Sequence, residues 1–245
     1  MKRVKLTVAY DGTRYSGWQV QQNAVTIEGV LNKALSKLTG EEIAVIGASR
    51  TDAGVHAMGN VAVFDTESTI PGERFLYVLN QKMPEDIVIV ASEEVPLTWH
   101  PRHQDTLKTY EYRILNAKLP DPTRRLYTNF VSFDLDIDLM RKGAAYLVGE
   151  HDFAGFCSVK TNAKTTVRTI TDLQVLQKGD EIIIRVTGNG FLYNMVRIIA
   201  GTLVDVGLGK IEPEKIPEII QQGKRENAGK TLPPNGLYLL KVMYS

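Results

Sequence analysis

Three polar islands in the sequence combine residue types that can do chemistry. The first is GASRTDAGVHAMGN at residues 47–60, set between apolar runs at 43–46 and 61–64, and it reads as a loop joining two core strands. Its glycines and alanines leave little side-chain bulk, so a ligand can approach the backbone closely. The functional side chains are then Ser49, Arg50, Thr51, Asp52 and His56. Asp52 either carries chemistry or merely caps a turn through its carboxylate. His56 is open in the same way, as a base or as a structural group. The 14 residues of this loop exceed the usual hairpin connection, which weighs toward function.

The second island is GNGFLYNMVRIIAGTLVDVG at residues 188–207. After Asn194 it is apolar almost all round a helix, the mark of a buried helix, yet Arg197 sits inside it. An unpaired buried guanidinium costs several kcal/mol, so Arg197 should meet a carboxylate of this protein or a phosphate of a ligand, unless its long stem reaches the surface. The third island, TWHPRHQDTLKTYEYRI at 98–114, mixes Trp99, His100, Arg102 and His103 in the manner of a nucleic-acid contact. Tyr110 and Tyr112 alternate along the strand that follows.

Charge supports a polyanionic partner only locally. The chain has 245 residues with 29 Lys+Arg against 28 Asp+Glu, a formal charge of +1, which excludes a polybasic tail. Residues 97–130 nevertheless carry six Lys/Arg against three acids, and residues 158–178 carry four against Asp172 alone. These segments predict a focused basic track on an otherwise acidic body.

Other chemistries lack their residues. A single cysteine, Cys157, permits no internal disulfide, and no Cys/His spacing builds a zinc site. Glu150-His151-Asp152 are consecutive and project in different directions, so no metal is expected. Neither a GxxxxGKS nor a post-strand GxGxxG motif is present, which leaves nucleotide cofactors without support. The N-terminus lacks a secretory h-region and no apolar run approaches the roughly 20 residues of a spanning helix, so we expect a soluble protein of a reducing compartment, with no membrane partner.

These islands need elements to hold them. Val4, Leu6, Val8 and Tyr10 fall on one face of a strand over residues 2–10. A helix is predicted over 27–38, with Thr26 as N-cap, Glu28 in its first turn and Gly40 closing it. Strands are predicted at 43–46, 60–64, 87–95, 109–115, 170–176, 182–186 and 237–244, with a second helix at 139–148 ended by Gly149 and a hairpin turned at 178–180. Hairpin spacing between most strands argues for an α+β fold with a largely antiparallel sheet. The outline suggests two similar α/β halves, divided near residues 100–108: 1–105 with the Asp52 loop, and 106–245 with Tyr110 and Arg197.

Taken together, YDGTRYSGWQVQ at 10–21, ASRTDAGVHA at 48–57, KTYEYRI at 108–114, GNGFLYNMVRIIAG at 188–201 and the ending GLYLLKVMY resemble the tRNA pseudouridine synthase A family, in order and over nearly the whole chain. That resemblance implies two pseudo-symmetric, RNA-recognition-like α/β halves whose sheets join into one continuous sheet around a central catalytic cleft. It implies a cytoplasmic homodimer that binds tRNA and isomerises uridine to pseudouridine at positions 38, 39 and 40. Asp52 would be the catalytic aspartate, Tyr110 would lie against the target uracil, Arg197 would pair with Asp52, and Arg50 would contact tRNA and help to flip the base. The family's tRNA-contact segments fall on Trp99, His100, Pro101, Arg102 and His103, and on Lys160, Thr161, Asn162, Ala163 and Lys164.

The chemistry agrees with that assignment. The reaction breaks an N-glycosidic bond and forms a C–C bond between the same fragments without net redox change, so no cofactor is expected. An ionised carboxylate is needed, and a neighbouring Arg lowers its pKa. The target base must first leave its stack, at about a few kcal/mol. Two other classes remain: a non-catalytic RNA-binding module, which needs no carboxylate in a small-residue loop, and a metal-dependent RNA hydrolase, which needs several converging acids.

Overall fold

The computed structural model describes residues 1–158 and 163–244. The chain divides into two compact units, the first formed by residues 1–106 together with the chain from Tyr238 onward, the second by Leu107–Leu237.

In the first unit, β1 (Lys2–Tyr10) buries Val4, Leu6, Val8 and Tyr10, as alternation predicts. It pairs antiparallel with β3 (His56–Thr66) on one side and with β4 (Ile87–Val95) on the other. Helix α1 (Ile27–Thr39) is capped by Thr26, whose hydroxyl accepts the Gly29 N–H, and closed by Gly40 in the left-handed region. Short helix α2 (Phe75–Asn80) follows β3 in the chain and packs on β4.

Two expectations change here. Of the strand predicted at 43–46, only β2 (Ile46–Gly47) pairs, with Val63 and Ala62 of β3. Ile43 and Val45 are buried, but their N–H groups go to the Ser36 hydroxyl (2.9 Å) and the Asn32 amide oxygen (2.8 Å) of α1 rather than to a strand ladder. At the other end, β3 begins at His56 rather than residue 60, so the loop carrying Asp52 spans only residues 48–55.

The second unit orders its strands β5 (Thr106–Asn116), β9 (Glu181–Gly188), β8 (Val167–Lys178) and β7 (Gly149–Asp152), all antiparallel, with β6 (Asn129–Val131) parallel to β5. The hairpin turn falls between Lys178 and Glu181, where the sequence places it. Asp136 caps helix α3 (Ile137–Ala145), accepting the N–H groups of Asp138 and Leu139. The helix therefore starts two residues before the predicted span, and beyond Ala145 it runs out in i→i+3 bonds to Val148. Helix α4 (Met195–Gly207) is buried on nearly every side, and α5 (Ile216–Gln222) closes the unit.

The last strand, β10 (Leu237–Tyr244), has the predicted bounds, yet from Tyr238 it groups with the first unit rather than with the C-terminal half. It does so because Tyr238 and Leu239 pair in parallel with His56 and Ala57 of β3. The class is α+β with mostly antiparallel pairing, as the strand spacing implies.

Candidate active site

The 48–55 loop is held from beneath by the chain between β1 and α1. The Trp18 N–H donates to the Thr51 carbonyl (3.0 Å) and the Gly54 N–H to the Tyr15 carbonyl (3.2 Å), while the Val55 N–H closes back on the Asp52 carbonyl (3.1 Å). Glycine makes this approach possible: a Cβ on Gly17, whose φ is +84°, would lie 2.6 Å from the Thr51 carbonyl oxygen. The conjunction of YDGTRYSGW and ASRTDAGVHA is thus a direct backbone contact between two segments distant in sequence.

Along the loop the side chains part. Ser49 and Thr51 are buried, Arg50 is exposed, and Asp52 lies half-buried between these extremes. The Ser49 hydroxyl has no hydrogen-bond partner among the described residues. His56 is only 2% exposed; its Nδ1 accepts the Gly12 N–H (3.1 Å), lies 3.2 Å from an Asp11 carboxylate oxygen, and its ring stacks on Tyr238 at 4.8 Å. A ring nitrogen committed to a backbone N–H is a structural group. This contact gives His56 a structural role through Nδ1.

The 99–103 segment reaches the same loop. Arg102 Nε donates to the carbonyl of Gly47 (2.8 Å), the residue preceding the loop, and Arg50 lies near enough to act on the Arg102 charge. Partial desolvation, then the Arg50 cation, lower the pKa of Arg102. His100 and His103 stack at 3.8 Å, and desolvation followed by the charges of His103 and Arg102 holds His100 below the usual imidazole range. A phosphate bound here would relieve the mutual repulsion of these groups. Arg3 donates to the Trp99 carbonyl (2.8 Å), Lys5 sits 5.5 Å over the Trp99 ring, and the Tyr244 hydroxyl donates to the Pro101 carbonyl (3.2 Å). Sequence reasoning missed Arg3, Lys5 and Tyr244. For Arg3 and Lys5 the signal was available in β1, where the odd residues alternate outward and two of them are basic.

In the second unit, Tyr110 lies on β5, 9% exposed, with its ring edge-on to Phe191 at 5.2 Å. Tyr112 shares its face but is fully buried, and its hydroxyl donates to the Pro233 carbonyl (2.7 Å). Burial pushes the Tyr112 pKa up, against the pull of the Arg197 charge. Arg197 is half-buried rather than enclosed. Within its unit its Nε donates to the Leu232 carbonyl (2.6 Å) and a terminal nitrogen to the Asn194 amide oxygen (2.8 Å). Both acceptors are neutral: they fix the guanidinium plane without themselves cancelling its charge. Asn194, at φ +62°, is anchored in turn on the Ser158 hydroxyl (2.8 Å).

Lys160, Thr161 and Asn162 lie outside the described residues, and Ala163 and Lys164 are exposed. Among the described residues no group of three or more His, Cys, Asp or Glu side chains is placed to hold a metal ion, and no helix is long and apolar enough to cross a membrane. At Glu150-His151-Asp152, His151 Nε2 lies 3.1 Å from the Val148 carbonyl and Asp152 accepts the Ala154 N–H (3.0 Å), both local structural contacts.

Comparison with known proteins now decides the family. The family model described as tRNA pseudouridine synthase matches residues 6–104 and 144–245. The chain belongs to this family. Its relatives include proteins named tRNA pseudouridine synthase A from Acetivibrio thermocellus, 51% identical over 245 residues, and from Brevibacillus brevis, 50% identical over 244, each covering 100% of both chains. A third, from a Thermoanaerobacter species, is 49% identical over 244 residues with the same coverage. The family match begins inside β1 and runs through the 48–55 loop to the 99–103 segment. It resumes within α3 and takes in Arg197, so the synthase family's signature covers Asp52, Arg50 and Arg197 but not Tyr110.

Proposed function

We propose that this chain isomerises uridine to pseudouridine at positions 38, 39 and 40 of the tRNA anticodon stem and loop, without a cofactor, in the cytoplasm and as a homodimer. Family membership supports the reaction class. The observation that carries the residue assignment is the loop itself. A half-buried carboxylate, Asp52, follows two buried residues that flank an exposed arginine, and the loop's entry is tied to a second arginine, Arg102.

In this reading Arg50, Trp99, His100, Pro101, Arg102 and His103 take the tRNA backbone, with Lys160, Thr161, Asn162, Ala163 and Lys164 as a second contact. Arg50 also fills the gap left by the flipped base. The carboxylate of Asp52 acts as nucleophile or acid/base group while the N1–C1′ bond breaks. The detached uracil turns against the Tyr110 ring, C5 bonds to C1′, and the C5 proton leaves as N1 gains one, so atoms and electrons balance. Arg197, its plane set by Leu232 and Asn194, supplies the cation that keeps Asp52 ionised.

The test is tritium release from tRNA carrying [5-3H]uridine, with EDTA present. Wild-type protein should release tritium and Asp52→Asn should release none while still binding tRNA; full release by that variant would overturn the assignment. Product formed under EDTA excludes a metal-dependent hydrolase, and any product excludes a passive binder.

A further inference from the structure

A buried polar network sits directly behind Asp52. Asn60 on β3 is fully buried, a costly place for a carboxamide unless its groups are used. They are used on the loop. Its Nδ2 donates to the Ser49 carbonyl (3.1 Å) and to the Tyr10 hydroxyl (3.3 Å), while its Oδ1 accepts the Val61 N–H (2.9 Å). The Tyr10 hydroxyl in turn shares a hydrogen bond of 2.7 Å with the Thr51 hydroxyl. One amide therefore holds both flanks of Arg50, and through Tyr10 it holds the residue that immediately precedes Asp52.

The strands are irregular at this spot. Val8 lies opposite Asn60, but Tyr10 lies opposite Ala57, so β3 carries one extra residue between the two pairs. Such a bulge re-aims side chains. Here Tyr10 and Asn60, though on neighbouring strands, meet at one point beneath the loop.

We propose that Asn60 and Tyr10 are positioning residues for Asp52, acting through Thr51 and the Ser49 carbonyl on the placement of the carboxylate rather than on tRNA affinity. The proposal rests on the reading that Asp52 carries the reaction. Displacing a reacting group by a fraction of an ångström slows chemistry without weakening binding.

The readout is the single-turnover rate constant at saturating protein, which does not depend on the folded fraction, alongside the Kd for unmodified tRNA. Tyr10→Phe and Thr51→Val should each lower the rate constant about tenfold with Kd within about twofold. Thr51→Ser, which restores the hydroxyl, should recover to within about twofold of wild type. Because both losses act through one hydrogen bond, the double variant Tyr10→Phe/Thr51→Val should be no slower than its slower parent. Asn60→Ala, which releases both anchors, should be slower still; if it does not fold, the cycle decides. Wild-type rates in both single variants, multiplicative losses in the double, or a Thr51→Ser as slow as Thr51→Val each overturn the proposal. Asp52→Asn in the same series separates the two ideas: activity there refutes the role of Asp52, whereas an inactive Asp52→Asn beside a normal Tyr10→Phe refutes only the positioning.

Discussion

Gly17→Ala should damage the reaction far more than it damages tRNA binding, and the size of the effect follows from one contact. An added Cβ would lie 2.6 Å from the Thr51 carbonyl oxygen, 3.1 Å from the Asp52 carbonyl carbon and 3.2 Å from the Ala53 nitrogen. Ordinary C···O approaches are about 3.3–3.6 Å, so one backbone must retreat by roughly 0.7 Å. The obstacle is main chain on both sides, and no side-chain rotation relieves it. Left-handed backbone at an alanine costs about 1–2 kcal/mol and forced overpacking about 1–3 kcal/mol, a total of roughly 2–5 kcal/mol. At about 2–4 °C per kcal/mol for a chain of this size, Tm should fall by roughly 4–20 °C. A shift of that length at Asp52 should lower the single-turnover rate constant about 10–100-fold. Gly40→Ala is the control: its φ is +75° but nothing lies within 4 Å of the new Cβ. It should lose about 1–2 kcal/mol from strain and retain the wild-type rate constant. Differential scanning fluorimetry and single-turnover tritium release measure both quantities. A Gly17→Ala protein with the wild-type rate constant, or a Gly40→Ala protein slowed as much, would refute the argument that the contact sets the carboxylate.

Arg102→Ala should weaken tRNA binding and reduce the slope of log K against log salt by about one, with the saturated rate constant little changed, as filter binding across a salt series would show. Tyr110→Phe keeps the edge-on contact with Phe191 and tests the hydroxyl alone; Tyr110→Ala should in addition lose about 0.5–1.5 kcal/mol of ring interaction, and a rate series over the two variants apportions the roles. The hydrogen bond from Arg3 holds Asp65 below the usual carboxylate range. The folded state therefore binds that proton less readily than the unfolded state, so the stabilisation is complete above about pH 4 and fades as pH falls through the depressed value. Asp65→Asn should flatten that part of the Tm–pH curve, and an unchanged acid limb would refute the pairing's contribution.

Much of the scaffold is legible in the sequence because it depends on local pattern. Alternation in 2–10, the Thr26 and Gly40 caps around α1, the hairpin between Lys178 and Glu181, and the bounds of β4 and β10 all follow from the period of the burial pattern and from turn and cap residues a few positions apart. The loop around Asp52 and the apolar helix around Arg197 are visible for the same reason: each sets an ionisable residue in a run whose composition contradicts it. Residue type and family resemblance point to the site residues, but no local pattern marks Tyr10 as the partner of Thr51 or Asn60 as the partner of Tyr10 and Ser49.

Those partnerships depend on contacts far apart in the chain. Residues 43–46 look like a strand, but Ser36 and Asn32 of α1 take the N–H groups of Ile43 and Val45, a competition invisible to a window of neighbouring residues. The start of β3 moves to His56 because β10, about 180 residues later, supplies a parallel partner at Tyr238 and Leu239. Arg102 reaches the Gly47 carbonyl across 55 positions, and Asn60 meets Tyr10 across 50, at a bulge that no periodicity encodes. By itself the sequence determined which residues could do the chemistry and the elements that carry them. The tertiary structure decided how the carboxylate loop is held, because the groups that hold it are brought together only when distant strands pair.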